Sequence, residues 1–217
     1  MTQRAAPVVL AAASGTGKTT LARRLVGDSD RYVFSVSATT RSPRTGEVDG
    51  VDYHFLDIGD FEKRAEDGEL VEWASVHGRL YGTPRAEIDD AARRGEHVVL
   101  DIDVQGARQI RASIEDAVLI FVLPPSVDIM MARLKGRGTE GREDIARRLR
   151  SALTELQALK DFDYVVVNDD LDKCIAEIRS ITEGRGEVPD SPEQNAEHFR
   201  TEIVRILRDE YDKTEGL

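Results

Sequence analysis

The sequence is poor in cysteine, in histidine and in long apolar runs, and each shortage excludes something. A single Cys174 rules out a disulfide framework within one chain and a cysteine-built zinc cluster. The four histidines (His54, His77, His97 and His198) are scattered, with no pair spaced to ligate from one helix face, so a histidine-held metal is not expected. No apolar stretch approaches the ~20 residues that a membrane span requires. Cationic charge is also short: 30 lysines and arginines against 41 acids leave a net charge of −11 over 217 residues. A field of that sign repels polyanions, which argues against a nucleic-acid partner or an anionic membrane surface. Any phosphate site must be assembled locally.

Arg4 and the run Ala5–Ala13 have the outline of a secretory leader. One arginine is a weak basic region, however, and the run leads straight into a glycine loop; a buried first strand accounts for both. The chain therefore reads as soluble and cytoplasmic. With 40% hydrophobic and 33% charged residues it has material for a real core. At about 150 residues per domain, its length fits one large domain or a core with insertions.

Short β-branched runs alternate with amphipathic ones. Val8–Ala12, Tyr32–Val36, Val98–Ile102, Val118–Leu123 and Tyr164–Val167 read as buried strands. Helical spacing covers Lys18–Val26, Val104–Ala112, Val127–Leu134, Ile145–Leu159 and Leu171–Thr182. The alternation predicts an α/β fold, a parallel sheet flanked by helices, with a core over 1–36 and 97–183. Residues 37–96 interrupt it with more polar strand-like pieces (Val51–Leu56, Leu70–Val76) and two short helices, the pattern of an inserted mixed α/β domain. A glycine- and arginine-rich stretch, about 134–148, reads as a helical lid. Residues 184–217 read as a linker followed by a helix. Its stripe of Phe199, Ile203, Ile206 and Leu207 belongs either to core packing or to a partner surface.

The strongest chemical signal is Ala12-Ala13-Ser14-Gly15-Thr16-Gly17-Lys18-Thr19, followed by Thr20, between a predicted strand and a predicted helix. Seven of its eight positions fit a phosphate-binding P-loop, with Ala12 in place of the first glycine. Glycines let backbone amides turn toward phosphate oxygens, and the helix N-terminus adds its dipole. Lys18 reaches the β- and γ-phosphates, and the Thr19 hydroxyl helps to hold Mg²⁺. An ordinary strand–turn–helix connection would not need Lys and Thr directly after Gly17.

Two groups of arginines stand out against the acidic background. Arg41 and Arg44 follow the second strand. Segment 133–150 holds seven basic residues against three acids, a local net charge of +4. Taken alone, the latter is equally a solvated helix face. Beside a P-loop, it is a lid able to neutralise a phosphoryl group in transfer.

With these motifs in hand the chain resembles guanylate kinase, bacterial type, among the nucleoside monophosphate kinases, from about residue 7 to 183. The resemblance is carried by Ser35–Glu47, Gly50–Tyr53, Leu70–Trp73, Tyr81–Thr83, Asp101–Gly106, Pro124–Ser126, Gly136–Gly138 and Val167–Asp170. It implies transfer of the γ-phosphoryl group of ATP to GMP, with Mg²⁺ as cofactor and dGMP as a further acceptor. It also implies that Arg41, Arg44, Tyr53 and Tyr81 hold the GMP phosphate and that Ser37, Glu72, Thr83 and Asp103 hold guanine. Asp101 is implied to order Mg²⁺ through water, Asn168 and Asp169 to lie by the adenine, and Lys18, Arg41, Asp101, Arg137 and Arg148 to act in catalysis. Arg137 also counts among the ATP ligands. Read without the resemblance, Glu72 is a solvent-facing strand residue, the tyrosines are core, and Asp101, Asn168 and Asp169 are helix caps. Family members occur as monomers and as larger assemblies, so a homo-oligomer stays open. The alternatives are a ribose-phosphate kinase on the same scaffold and a guanylate-kinase-like binding module without catalysis.

Overall fold

The computed structural model describes residues 5–13, 15–76, 78–136, 141–186 and 192–211, without the side chains of 192–195. Ser14, Arg137 and most of the expected linker, residues 187–191, lie outside the described residues. The chain divides into two compact units, residues 1–9 with 22–119 and residues 10–21 with 120–217.

Five strands form one sheet in the order β2-β7-β1-β8-β9: β1 (Val8–Ala12), β2 (Tyr32–Phe34), β7 (His97–Asp101), β8 (Val118–Leu123) and β9 (Tyr164–Val167). The pairs β2–β7 and β8–β9 run parallel, with Tyr32 opposite His97 and Ile120 opposite Tyr164. Their continuous apolar sequences follow from burial on both faces: Val8, Val9, Leu10 and Ala11 are fully buried, as are Leu119 to Leu123. The α/β class with a parallel sheet is therefore as the alternation predicts.

The first unit also carries a four-stranded sheet, ordered β4-β3-β6-β5. Its strands are β3 (Ala38–Thr39), β4 (His54–Phe55), β5 (Leu70–Val76) and β6 (Arg79–Pro84). Strands β5 and β6 are antiparallel, with Glu72 opposite Thr83 and a bulge between Leu70 and Glu72. Gly82 is required there, since a Cβ would come within 2.9 Å of the Glu72 carbonyl oxygen. Ala38, Phe61 and Leu70 form the sheet's small core, with Phe61 supplied by α2 (Ile58–Glu66). Helix α3 (Arg85–Arg94) leads back to β7, and α4 (Val104–Ser113) follows it.

Helix α4 guards the open edge of β5. The Gln109 amide accepts from Trp73 N at 3.1 Å and donates to Trp73 O at 3.0 Å, as a neighbouring strand would.

Two expectations need correcting. The strand expected at Val51–Leu56 shrinks to His54–Phe55, because residues 48–52 close a turn: Val51 N donates to Val48 O at 3.2 Å, and Asp52 Oδ2 accepts from Val48 N at 2.7 Å. The strand expected to run to Val36 ends at Phe34, and Val36 N turns to Glu87 Oε2 at 3.3 Å.

In the second unit α5 (Val127–Lys135), α6 (Arg142–Gln157), α7 (Leu171–Thr182) and α8 (Pro192–Ile206) accompany β9. Phe199, Ile203, Ile206 and Leu207 are all buried, so the C-terminal stripe is core packing, and α8 lies against α6. Among the described residues, no helix is long and apolar enough to cross a membrane.

Candidate active site

The second unit holds the phosphate loop between β1 and α1 (Lys18–Gly27). Gly15 and Gly17 have φ of +88° and +86°, the left-handed backbone that glycine adopts freely. A Cβ on Gly15 would meet the Leu134 and Met130 side chains of α5 at 3.2–3.3 Å. Thr16 is 2% exposed, and its carbonyl accepts from Asn168 Nδ2 at 2.8 Å and Arg133 NH1 at 2.6 Å. Lys18 lies in the first turn of α1 with Thr19 and Thr20, whose side chains are exposed. Ala12 ends β1, and Ala13 is buried behind the loop.

Three arginines of the arginine-rich stretch have partners of their own. Arg133 is committed to Thr16. Arg142 donates to the Glu210 carbonyl and lies over the Tyr211 ring at 5.8 Å from its centroid, and Arg147 pairs with Asp144 at 2.6 Å. Arg148 is half-buried on α6.

In the first unit the Arg41 guanidinium is held by a residue that sequence reasoning did not single out. Glu47 accepts from its NH1 and NH2, both at 2.9 Å, and from the Arg44 backbone N–H at 2.6 Å; Arg41 NH1 also reaches Ser42 O at 2.8 Å. The turn at Gly46, with φ +91°, brings Glu47 back onto Arg41. Hydrogen bonding to Glu47, and secondarily to Tyr81, holds the guanidinium pKa above its ordinary value. The same pair, followed by the Arg44 backbone N–H, holds Glu47 below the usual carboxylate range. Arg41 lies 5.1 Å from the Tyr53 ring centroid, and Tyr53 meets Tyr81 edge-on at 6.1 Å. Both tyrosines are half-buried beside a cation rather than in the core. A guanidinium and two phenols suit a phosphate dianion. Arg44 is exposed next to them.

Glu72 is no solvent-facing strand residue: it is 6% exposed, and its Oε1 accepts from Thr83 Oγ at 2.7 Å. Burial pushes its carboxyl pKa up, with the nearby Asp103 charge adding to the rise and the Thr83 hydrogen bonds opposing it. Gly106 makes room for it, because a Cβ there would fall 2.8 Å from Glu72 Oε2. Asp103, at the start of the same helix, is the N-cap of α4, accepting from Gln105 N and Gly106 N at 2.9 and 2.8 Å. Asp101 thus ends β7 without that capping role. Ser37 is half-buried and its carbonyl takes the His54 N–H at 2.9 Å. Asn168 and Asp169 do not cap α7 either; Asp170 does, accepting from Lys173 N at 2.9 Å.

The second unit thus carries a phosphate loop, and the first an arginine–tyrosine cluster and a buried carboxylate. The guanylate kinase family model matches residues 4–185. The chain belongs to the guanylate kinase family. It is 51% identical over 173 residues to guanylate kinase of Nitratidesulfovibrio vulgaris, covering 80% of this chain and 84% of that one. It is 46% identical over 186 residues to guanylate kinase of Rhodococcus jostii, covering 85% and 90%. The crystal structure of guanylate kinase from Anaplasma phagocytophilum superposes with a TM-score of 0.66 at 30% identity, over 96% of both chains. As a guanylate kinase the chain is an ATP:GMP phosphotransferase, and neither the ribose-phosphate kinase nor the binding-module alternative is favoured by these matches.

Proposed function

We propose that this guanylate kinase binds ATP on the loop from Ala12 to Thr20, Ser14 included, and GMP on the 37–96 segment together with Asp103. The 1–36 and 97–183 segments serve as the core and 134–148 as a lid. The observation that carries the acceptor assignment is the buried Glu72 carboxylate on the same sheet as Tyr81, whose ring meets Tyr53 beside Arg41. Guanine presents N1–H and N2–H₂ side by side, two donors for a carboxylate, whereas adenine N1 is an acceptor and would leave Glu72 unpaired. Thr83, Ser37 and Asp103 complete the base contacts in this reading. dGMP shares the base and the phosphate, so it is a second acceptor.

At the phosphate end, Arg41 spends NH1 and one NH2 proton on Ser42 and Glu47. Its Nε–NH2 edge, beside Tyr81, is the pair of donors we assign to the GMP phosphate, with Arg44 and Tyr53 alongside. Lys18, Arg137 and Arg148 meet the charge that spreads over the transferring phosphoryl oxygens. No side chain need act as general base, because the GMP phosphate is already an anionic nucleophile near neutral pH. Closing over both nucleotides excludes the water that would otherwise hydrolyse ATP. Asp169 and Asn168 are placed by the adenine on the resemblance alone.

The Thr19 hydroxyl and the Asp101 carboxylate are hard oxygen donors of the kind Mg²⁺ takes. Among the described residues no group of three or more His, Cys, Asp or Glu side chains is placed to hold a metal ion. Bound there, Mg²⁺ neutralises charge on the β- and γ-phosphate oxygens. ATP and GMP both occur in the cytoplasm, where we expect the enzyme to work. ADP release measured over GMP, dGMP, AMP, UMP and CMP tests the assignment. Turnover with GMP and dGMP and not with the other three supports it; equal turnover with AMP overturns it.

A further inference from the structure

The Thr16 carbonyl is buried within the second unit and faces two donors, Asn168 Nδ2 at 2.8 Å and Arg133 NH1 at 2.6 Å. Neither donor belongs to the loop, and each is fixed by a different element. Asn168 follows β9, and its N–H bonds Leu123 O at 2.8 Å, extending the β8–β9 ladder by one residue. The residue is 7% exposed, so the amide is seated rather than adrift. Arg133 rides the last turn of α5, the helix whose Met130 and Leu134 pack on Gly15. Gly17 leaves space for Asn168: a Cβ there would lie 2.9 Å from its Nδ2, while Arg133 NH1, at 3.5 Å, would stand at ordinary contact distance.

The Thr16 C=O and the Gly17 N–H belong to one planar peptide group and point in opposite directions. Fixing the carbonyl therefore fixes where the amide proton points. We propose that Asn168 and Arg133 are positioning residues that pin the Thr16–Gly17 peptide, so that the Gly17 N–H faces the ATP phosphates. The clamp rests on the reading that this loop binds those phosphates. It gives Asn168 work that does not depend on the nucleotide base, unlike a place beside the adenine. A cleft that must accept a polyanion gains from an amide already aimed, because an unheld peptide would have to give up two orientations on binding.

Calorimetric titration of wild type, Asn168→Ala, Asn168→Asp and Arg133→Met with ATP and with inorganic tripolyphosphate, both with magnesium, separates the two roles. The clamp predicts that Asn168→Ala and Arg133→Met weaken ATP and tripolyphosphate by the same factor, about tenfold. It predicts a larger loss for Asn168→Asp, which sets an acceptor against a carbonyl, and an unchanged Kd for GMP in all three. Thermal melting of each variant, and the separately seated Arg133→Met, guard against reading a folding defect as lost affinity. A loss confined to ATP, with tripolyphosphate unaffected, assigns Asn168 to the adenine and overturns the clamp, as does the absence of any loss. If the wild type binds neither ATP nor tripolyphosphate, the phosphate-loop reading itself fails and the clamp fails with it.

Discussion

Thr83 donates its hydroxyl to Glu72 Oε1 at 2.7 Å, at the point where the two residues stand opposite one another in the β5–β6 ladder. The register of one hairpin thus holds a buried carboxylate in place, with Gly106 clearing space for the carboxylate and Gly82 for the Glu72 backbone carbonyl. Glu72→Gln keeps the shape and removes the charge. The expected outcome is a fall of roughly 10²-fold in the ratio of kcat/KM for GMP over AMP, measured by ADP release. An unchanged ratio removes Glu72 from base recognition.

The raised pKa of Glu72 carries a sign. Its folded value lies above that of the unfolded chain, so its contribution to stability is fully present at low pH and is lost as pH rises through the folded value. Glu72→Gln is therefore expected to melt at or above the wild-type temperature at pH 7 and to lose that advantage below about pH 4, the ordinary glutamate range. Binding runs the other way. In the proposed reading guanine pairs with the ionised carboxylate, so the KM for GMP rises more steeply in acid in the wild type than in the glutamine variant, where the GMP phosphate still titrates.

Glu47 behaves oppositely, since its carboxyl is held low by Arg41 and the Arg44 amide; its contribution to stability is present at neutral pH and is lost as pH falls through the folded value. Glu47→Gln dismantles the fork on Arg41. Steady-state kinetics is expected to show the KM for GMP raised roughly three- to tenfold, with kcat within about twofold of wild type. A kcat loss with unchanged KM would assign Glu47 to the chemical step instead.

The parallel core was legible because buried strands read as apolar runs and the loop announces itself by local spacing. Strand β6 was not: Arg79, Gly82 and Pro84 spoil its pattern, and it exists because β5 pairs with it. The chemical residues divide in the same way. Lys18 and Arg41 were legible within short motifs, whereas the roles of Glu47, Gln109 and Gly106 depend on which side chain meets them. The partner of Asn168 is 152 residues away, a separation that carries no periodic signal. Asp103, in turn, was read as a base contact, and its cap on α4 became visible only once the helix start was fixed.

Cys174 is buried, and its thiol pKa is pushed up to about 12, chiefly by burial and further by Glu177, Asp169 and Asp170. The thiolate is the reactive form. Iodoacetamide at pH 8 is expected to leave native enzyme unlabelled and fully active, and to label it only after denaturation. Rapid native labelling with loss of activity would contradict that burial.

At the phosphate loop, Lys18→Ala is expected to lower kcat by about 10²–10³-fold while leaving the Kd for GMP within about twofold, because in the proposed mechanism the lysine acts on charge that develops in the transition state. Arg137→Ala is expected to follow the same pattern. A comparable loss in GMP binding would make either residue a ground-state ligand.

The most direct measurement follows the phosphorus atom itself. Enzyme given ATP labelled at the γ-position together with unlabelled GMP should place the label in GDP, with inorganic phosphate at background. Label appearing in inorganic phosphate at a rate independent of GMP would contradict direct transfer between the two nucleotides.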